Sequence, residues 1–395
     1  MRTLTLFLFI LLCSCAARVE LPAHIHENAP RASRAALPAP GSRSHDLGGQ
    51  LGSALEQHHY AEGSIVQTKQ PSLSFSVVSE RPDPAGDDTL NLFFLPRSLI
   101  SGWSPYVTNE LRLVNRNDPA FRYPAGRRSS TFFEIQPSHW EKPKGLIIYH
   151  TSIMLFTSVE RRFVKKMNSL GWNVLVAYPS DRIFRLQVPL PLQDGSLPPG
   201  AAQRLARSFD AHYAEQAYAT RTALAHLEAA FPDLLGGKRV LMGTSVGTFG
   251  LAAEARFLRD WDACIFASPG TNLLTALSSG ATDIFAHSLE ALKKFHPSET
   301  SAIDREDLHQ LYHDLYEDAA TLTRFDALHQ APALKSRKIL LLQGSLDQVI
   351  PSHQPNDLHR ALGHPERWSY PLGHYLMAIQ LGFSAEHIDR WICEN

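Results

Sequence analysis

Lys238-Arg239-Val240-Leu241-Met242-Gly243-Thr244-Ser245-Val246-Gly247 is the stretch that decides how this chain is read. The apolar run Val240-Leu241-Met242 reads as a strand and ends in a G-x-S-x-G pentapeptide, which sets a serine on a sharp strand-to-helix turn. Such a turn holds the serine backbone in a strained conformation, and side chains two positions to either side would collide with the neighbouring chain. Glycine at Gly243 and Gly247 removes both clashes, so Ser245 is a candidate nucleophile.

The pentapeptide takes its meaning from what flanks it. Upstream, Leu146-Ile147-Ile148-Tyr149 is a short continuous apolar run of the kind found in strands buried on both faces, and Trp172 to Ala177 is another. Downstream, Asp262 to Ala267 and Lys338 to Gln343 are two more, and Arg367 to Tyr370 is a last short one. Helical patterns alternate with them at Val159 to Leu170, Ala202 to Ala230 and Val246 to Leu258, and a C-terminal helix begins near Tyr375. This alternation predicts an α/β fold with a mostly parallel central sheet flanked by helices and the serine in mid-sheet. Before it, Ser74 to Ser79, Leu90 to Leu95 and Thr131 to Gln136 read as opening antiparallel strands.

Two stretches exceed what strand connection requires. About seventy residues separate Ala267 from Lys338, where a simple crossover needs roughly a dozen. The excess predicts a helical cap over 271–332, with Phe285, Phe295, Tyr312 and Tyr316 at positions that look exposed. Pro179 to Gly200 is irregular and rich in Pro and Leu, and belongs over the carboxyl ends of the strands, where open α/β sheets bind ligands.

A serine hydroxyl is a weak nucleophile, so it needs a base to take its proton and a third group to orient that base. Asp347, in Gly344-Ser345-Leu346-Asp347-Gln348-Val349-Ile350-Pro351 just past a buried strand, is the chosen acid; its rivals Asp326 and Asp357 fall in helical context. His374, in Pro371-Leu372-Gly373-His374-Tyr375, is the chosen base over His353 and His364. His150 either donates a hydrogen bond in the floor of the site or packs beside the strand end. His309 and His313 lie four apart, but Gln310 stands where a zinc protease would carry its glutamate, and they read as a solvated helix face. Arg182 and Arg185 read as solvated loop residues with a possible contact to an anionic substrate.

The whole chain sets bounds on this. Its 395 residues, 44% of them hydrophobic and 19% charged, suit one large domain with insertions, and a net charge of -1 excludes an electrostatic case for nucleic acid. The 19 histidines are scattered and make no zinc pattern with the four cysteines. Leu4 to Leu12 is too short for a membrane span and reads as the core of a signal peptide. Leu12-Cys13-Ser14-Cys15 resembles a bacterial lipobox, with Cys13 where Ala or Ser is usual and Cys15 as the lipidated residue; a plain signal cleaved near Ala16 or Ala17 is the alternative. Residues 1–14 are then signal, 15–49 a Pro- and Ala-rich flexible tether, and 50–395 the folded domain, held at the bacterial envelope by a lipid anchor, with Ala16 resembling outer-membrane sorting. Cys264 and Cys393 read as small core residues without a disulfide between them.

Taken together, the elbow, Gly344-x-x-Asp347-x-x-x-Pro351 and Gly373-His374 resemble the α/β-hydrolase superfamily over about Ser130 to the C-terminus. Ser268-Pro269-Gly270-Thr271-Asn272-Leu273-Leu274 and Leu362-Gly363-His364-Pro365-Glu366 are similar to bacterial esterase and dienelactone-hydrolase-like members. The resemblance implies hydrolysis of a small or lipid-like ester without cofactor, and an oxyanion hole of two backbone amides. One is that of Val246, after the serine. The other belongs to the loop after Tyr149, which usually begins His-Gly but reads His150-Thr151-Ser152 here, so the second donor falls to Ser152 with Thr151 as alternative. A binding module that keeps the fold without turnover, and acyl transfer to an acceptor other than water, stay open beside ester hydrolysis.

Overall fold

The computed structural model describes residues 63–67, 74–79, 89–91, 129–153, 157–179, 187–189, 196–197, 199–278 and 305–394. The expected signal segment, Cys15, the tether, Arg182, Arg185, Phe285 and Phe295 lie outside them. In chain order the described elements are β1 (Gly63–Gln67), β2 (Ser74–Ser79), β3 (Thr89–Asn91), β4 (Ser129–Gln136), β5 (Gly145–His150), α1 (Ser158–Ser169), β6 (Trp172–Ala177) and β7 (Gln187–Pro189). They continue as α2 (Ala201–Ala230), β8 (Lys238–Thr244), α3 (Leu251–Leu258), β9 (Ala263–Ala267), α4 (Leu273–Ser278), α5 (Arg305–Leu322), α6 (Ala327–Gln330), β10 (Ile339–Gly344), α7 (His353–Ala361), β11 (Glu366–Tyr370) and α8 (His374–Cys393).

Nine strands form one sheet in the order β1-β2-β4-β6-β5-β8-β9-β10-β11. The three pairings from β1 to β6 are antiparallel and the five from β6 to β11 are parallel. The parallel half is where the apolar runs lie, because strands covered on both faces need apolar residues at every position. Successive residues divide between two cores. Leu146, Ile148, Leu175, Leu241, Phe266 and Leu341 pack against α2 and α3 through Ala219, Ala223, Leu227 and Leu251. Ile147, Tyr149, Val174, Val240, Met242 and Leu342 pack against α1 and α8 through Phe163, Met167, Leu381 and Ile388. Burying each of these large side chains stabilises the fold by about 1.5–3 kcal/mol. Helices on both faces of a sheet with this strand order, and the serine turn at the end of β8, make this the α/β-hydrolase fold.

The lower end of the sheet is pinned to α8 by one carboxylate. Asp389 accepts from Lys144 Nζ at 2.7 Å and from the Trp172 indole at 2.8 Å, tying the entries of β5 and β6 to the last helix.

Several expectations are corrected. β1 was not anticipated, and β3 leaves the main sheet to pair with β7. The helix expected from Val246 is broken into a 3-10 turn, Ser245–Thr248, and then α3. Tyr312 and Tyr316 are buried rather than exposed. With Leu315 and Ala319 they form the stripe by which α5 packs on Phe209, Tyr213 and Ala217 of α2, so the described cap helices rest on that face of the molecule. Asp210 of α2 fastens their return by accepting the amides of Arg324 (2.8 Å) and Phe325 (2.9 Å). Cys264 is a buried free thiol as expected, whereas Cys393, at the last turn of α8, is a free thiol on the surface. Among the described residues no helix is long and apolar enough to cross a membrane.

Candidate active site

Ser245 stands at the carboxyl end of β8 with φ 53, in the left-handed region that a non-glycine residue seldom occupies. Its two glycines are required by contact. A Cβ on Gly243 would lie 2.4 Å from the Gly247 carbonyl oxygen, and one on Gly247 would lie 2.5 Å from the carbonyl oxygen of His150 at the end of β5. The turn is held from behind, because Thr248 Oγ1 donates to the Ser245 carbonyl at 2.6 Å and accepts the Gly270 amide at 3.3 Å.

Parallel pairing brings the ends of β8, β10 and β11 to one edge, and with them the three residues read from sequence. Ser245 Oγ lies 2.9 Å from His374 Nε2, and His374 Nδ1 lies 2.7 Å from Asp347 Oδ2. A carboxylate only accepts, so Nδ1 carries the proton and donates it to Asp347, which leaves the Nε2 lone pair to accept from the serine hydroxyl. The other Asp347 oxygen, Oδ1, accepts the amides of Val349 (2.9 Å) and Ile350 (3.0 Å). It therefore shapes its own turn while orienting the imidazole. The loops of acid and base are also joined directly, through Leu346 N–H to the Leu372 carbonyl (3.1 Å) and Ser345 N–H to the Tyr370 carbonyl (2.7 Å). Asp326 caps α6 and Asp357 bonds Arg360, so neither rival acid is drawn to the serine.

The opposite side of the serine is arranged otherwise. Val246 is the second residue of the 3-10 turn, where the first N–H groups have no partner within the helix. In the loop after β5, however, the Thr151 amide donates to the Ala177 carbonyl at 3.1 Å and the Ser152 amide to Glu160 Oε1 at 2.8 Å. Both amides of the expected second oxyanion donor thus have acceptors within the fold. The cause is Glu160, a residue that sequence reasoning passed over. Buried in the first turn of α1, its carboxylate accepts five donors: the Tyr149 hydroxyl, the amide and hydroxyl of Ser152, and the amide and hydroxyl of Thr157. Thr157-x-x-Glu160 is a capping box, and that signal was visible in the sequence. What was not visible is that the fold adds Ser152 and Tyr149 to the box. Tyr149 also bonds Thr244, the residue before the serine, at 3.0 Å, and burial, then the Glu160 charge, pushes its hydroxyl well above the usual tyrosine range.

His150 takes a place behind the turn. Its Nε2 lies 2.8 Å from Glu254 Oε1, and Gln216 Nε2 donates to its Nδ1 at 3.1 Å, all three side chains being buried. The imidazole is thus a neutral donor to Glu254 that packs α2 and α3 against the end of β5. His313 lies 3.5 Å from its neighbour Asp314, and among the described residues no group of three or more metal-ligating side chains gathers.

No family model and no curated protein matches the sequence. Solved structures with a similar architecture include a Pyrococcus furiosus esterase (12% identity, 68% of this chain and 88% of that one, TM-score 0.41). An Exiguobacterium antarcticum esterase (14%, 67% and 96%, 0.40) and an enol-lactonase from Burkholderia xenovorans (13%, 67% and 97%, 0.39) are others.

Proposed function

We propose that this chain is a serine hydrolase of carboxylic esters, with Ser245 as nucleophile, His374 as general base and then acid, and Asp347 orienting His374. The observation that carries the reading is the Ser245–His374–Asp347 relay at 2.9 and 2.7 Å, built on a serine held at φ 53. In acylation the Ser245 hydroxyl proton passes to His374 Nε2 as Oγ bonds the ester carbon and the carbonyl electrons move to oxygen. Collapse breaks the bond to the alcohol, which leaves with the proton from His374. A water then gives its proton to His374, attacks the acyl-enzyme and releases the acid and Ser245. Comparing purified Ser245→Ala and wild-type protein on short p-nitrophenyl esters tests this, and equal rates would sink it.

A second reading, a binding module without turnover, is favoured by one observation: the amides of Thr151 and Ser152 are already committed to other acceptors. On the hydrolase reading Val246 supplies one oxyanion donor, and the second requires Ser152 to leave Glu160. Fluorophosphonate labelling separates the two readings, since a stoichiometric adduct on Ser245 excludes the binding module. We further propose export and lipid anchoring at Cys15, tested by mass spectrometry of the mature N-terminus; an unmodified chain beginning near Ala17 would exclude it.

A further inference from the structure

Among the described residues, the large apolar side chains left mostly exposed are Trp140, Leu328, Leu346, Tyr375, Leu376 and Phe383. Three of these six lie together at the start of α8, and a fourth, Phe383, stands about two turns further along it. Leu346 (62% exposed) precedes Asp347, Tyr375 (58%) follows His374 with the two rings 5.8 Å apart, and Leu376 and Phe383 (45% and 76%) stand seven positions apart on one face of α8. Scattered exposed apolar residues need no explanation, but a contiguous group beside a reactive site marks a contact surface.

Polarity along α8 says how far that surface reaches. Between Tyr375 and Phe383 its exposed large side chains are apolar; from Glu386 onward the exposed positions are Glu386, His387, Arg390 and Cys393. The change falls within one turn, and the apolar half is the one that adjoins Ser245. Beside it runs α1, packed on the same face of the sheet through Phe163 and Met167 and joined to α8 by Lys166–Glu386. α1 carries Arg161, Arg162, Lys165 and Lys166, with Arg162 and Lys165 exposed, and its one acid, Glu160, is buried. An apolar band edged by cations is the composition of a surface that lies on anionic lipid, its apolar residues among acyl chains and its lysines and arginines among headgroups.

We propose that the upper half of α8, with Leu346 and the basic row of α1, docks on an anionic lipid surface and presents Ser245 to it. The docking stands on the exposed face alone; that it delivers lipid esters to the serine rests on the hydrolase reading above.

Full-length Cys15→Ser protein, which cannot be acylated at that residue, is sedimented with vesicles of phosphatidylcholine alone or mixed with phosphatidylglycerol. It should partition into the mixed vesicles, less so at high salt, and far less into the neutral ones. Leu376→Asp/Phe383→Asp should weaken partitioning by at least about tenfold, and Arg162→Glu/Lys165→Glu by roughly tenfold or more. Both should melt like the parent and hydrolyse a soluble short-chain ester within about a factor of two of it. Absence of partitioning, partitioning indifferent to Leu376→Asp/Phe383→Asp, or equal partitioning into neutral vesicles overturns the proposal. So does a dimer, seen by light scattering, that those substitutions dissociate while no vesicle binds. Vesicle binding by a protein that cleaves no ester would leave the docking standing and remove the hydrolase reading.

Discussion

Two loops flank Ser245, and they use their polar groups in opposite ways. On the β10–β11 side, Asp347 gives one oxygen to its own turn and the other to His374, whose second nitrogen stays available to the serine. On the β5 side, Thr151 and Ser152 direct both amides into the fold, to Ala177 and Glu160. One loop is built to act on the serine and the other to hold itself in place. On the hydrolase reading the triad is thus only half of a working site, and the oxyanion side is the half that tests it.

The comparison breaks completely if the serine is removed. Ser245→Ala should lower kcat for ester hydrolysis on the order of a millionfold and abolish fluorophosphonate labelling, while the thermal melt stays within about 1 °C of the parent. Asp347→Asn breaks the first loop alone. An amide there presents His374 with the wrong partner and stabilises the wrong tautomer, so kcat should fall about ten-thousandfold. Because Oδ1 also accepts the amides of Val349 and Ile350, a small loss of stability, about 1 kcal/mol, should accompany it. Steady-state kinetics with a chemical denaturation curve read both effects.

Much of the acting loop was legible, and little of the structural one. β5, β6, β8, β9 and β10 announce themselves because double-sided burial demands unbroken apolar runs, and the acid and histidine follow the last two parallel strands in order. The two glycines were legible for a steric reason, a Cβ on Gly243 or Gly247 approaching a carbonyl oxygen to 2.4 or 2.5 Å. β1, with Ser64 and Gln67 among five residues, and β7, three residues ending in Pro189, carry too little pattern to register. Glu160 went unread although its capping box is local and legible, whereas its bonds to Ser152 and Tyr149 exist only once β5 and α1 pack together. Tyr312 and Tyr316 were misjudged for the same reason: their burial belongs to α2, far away in sequence.

A second buried carboxylate measures what such a group costs with fewer donors. Among the described residues Asp210 accepts only the two amides of Arg324 and Phe325, and burial, opposed by these bonds, raises its pKa from 3.8 to about 6. The folded state then holds a proton that the unfolded chain releases, so the contribution of this group to stability falls as pH rises from about 4 to about 6, by about 3 kcal/mol in all, and is level above. His329, raised chiefly by its hydrogen bond to Asp326, acts in the same direction: its stabilisation is complete below the unfolded histidine value and is lost as pH rises through the folded one. Denaturation curves across this range should show the fall, and Asp210→Asn, which keeps an acceptor for both amides, should remove most of the acidic part of it. An unchanged slope in that variant would show that Asp210 ionises normally.

Glu160 sharpens the comparison most finely, with the smallest effect. Glu160→Gln keeps the volume but sets an NH2 group among five donors, leaving at least one buried N–H or O–H without an acceptor. The expected cost is about 2 kcal/mol in denaturation. Its kinetics then separate two kinds of loop. If the β5 loop is structural as held, and Val246 is the donor that matters, kcat changes by less than about tenfold, since stability of a folded enzyme does not enter its turnover. If instead the loop reaches the substrate and lends an amide in the transition state, misplacing Ser152 costs a full oxyanion donor, about 100- to 1000-fold in kcat. The same substitution would then silence the site as well as weaken the fold, and the division of labour between the two loops would dissolve.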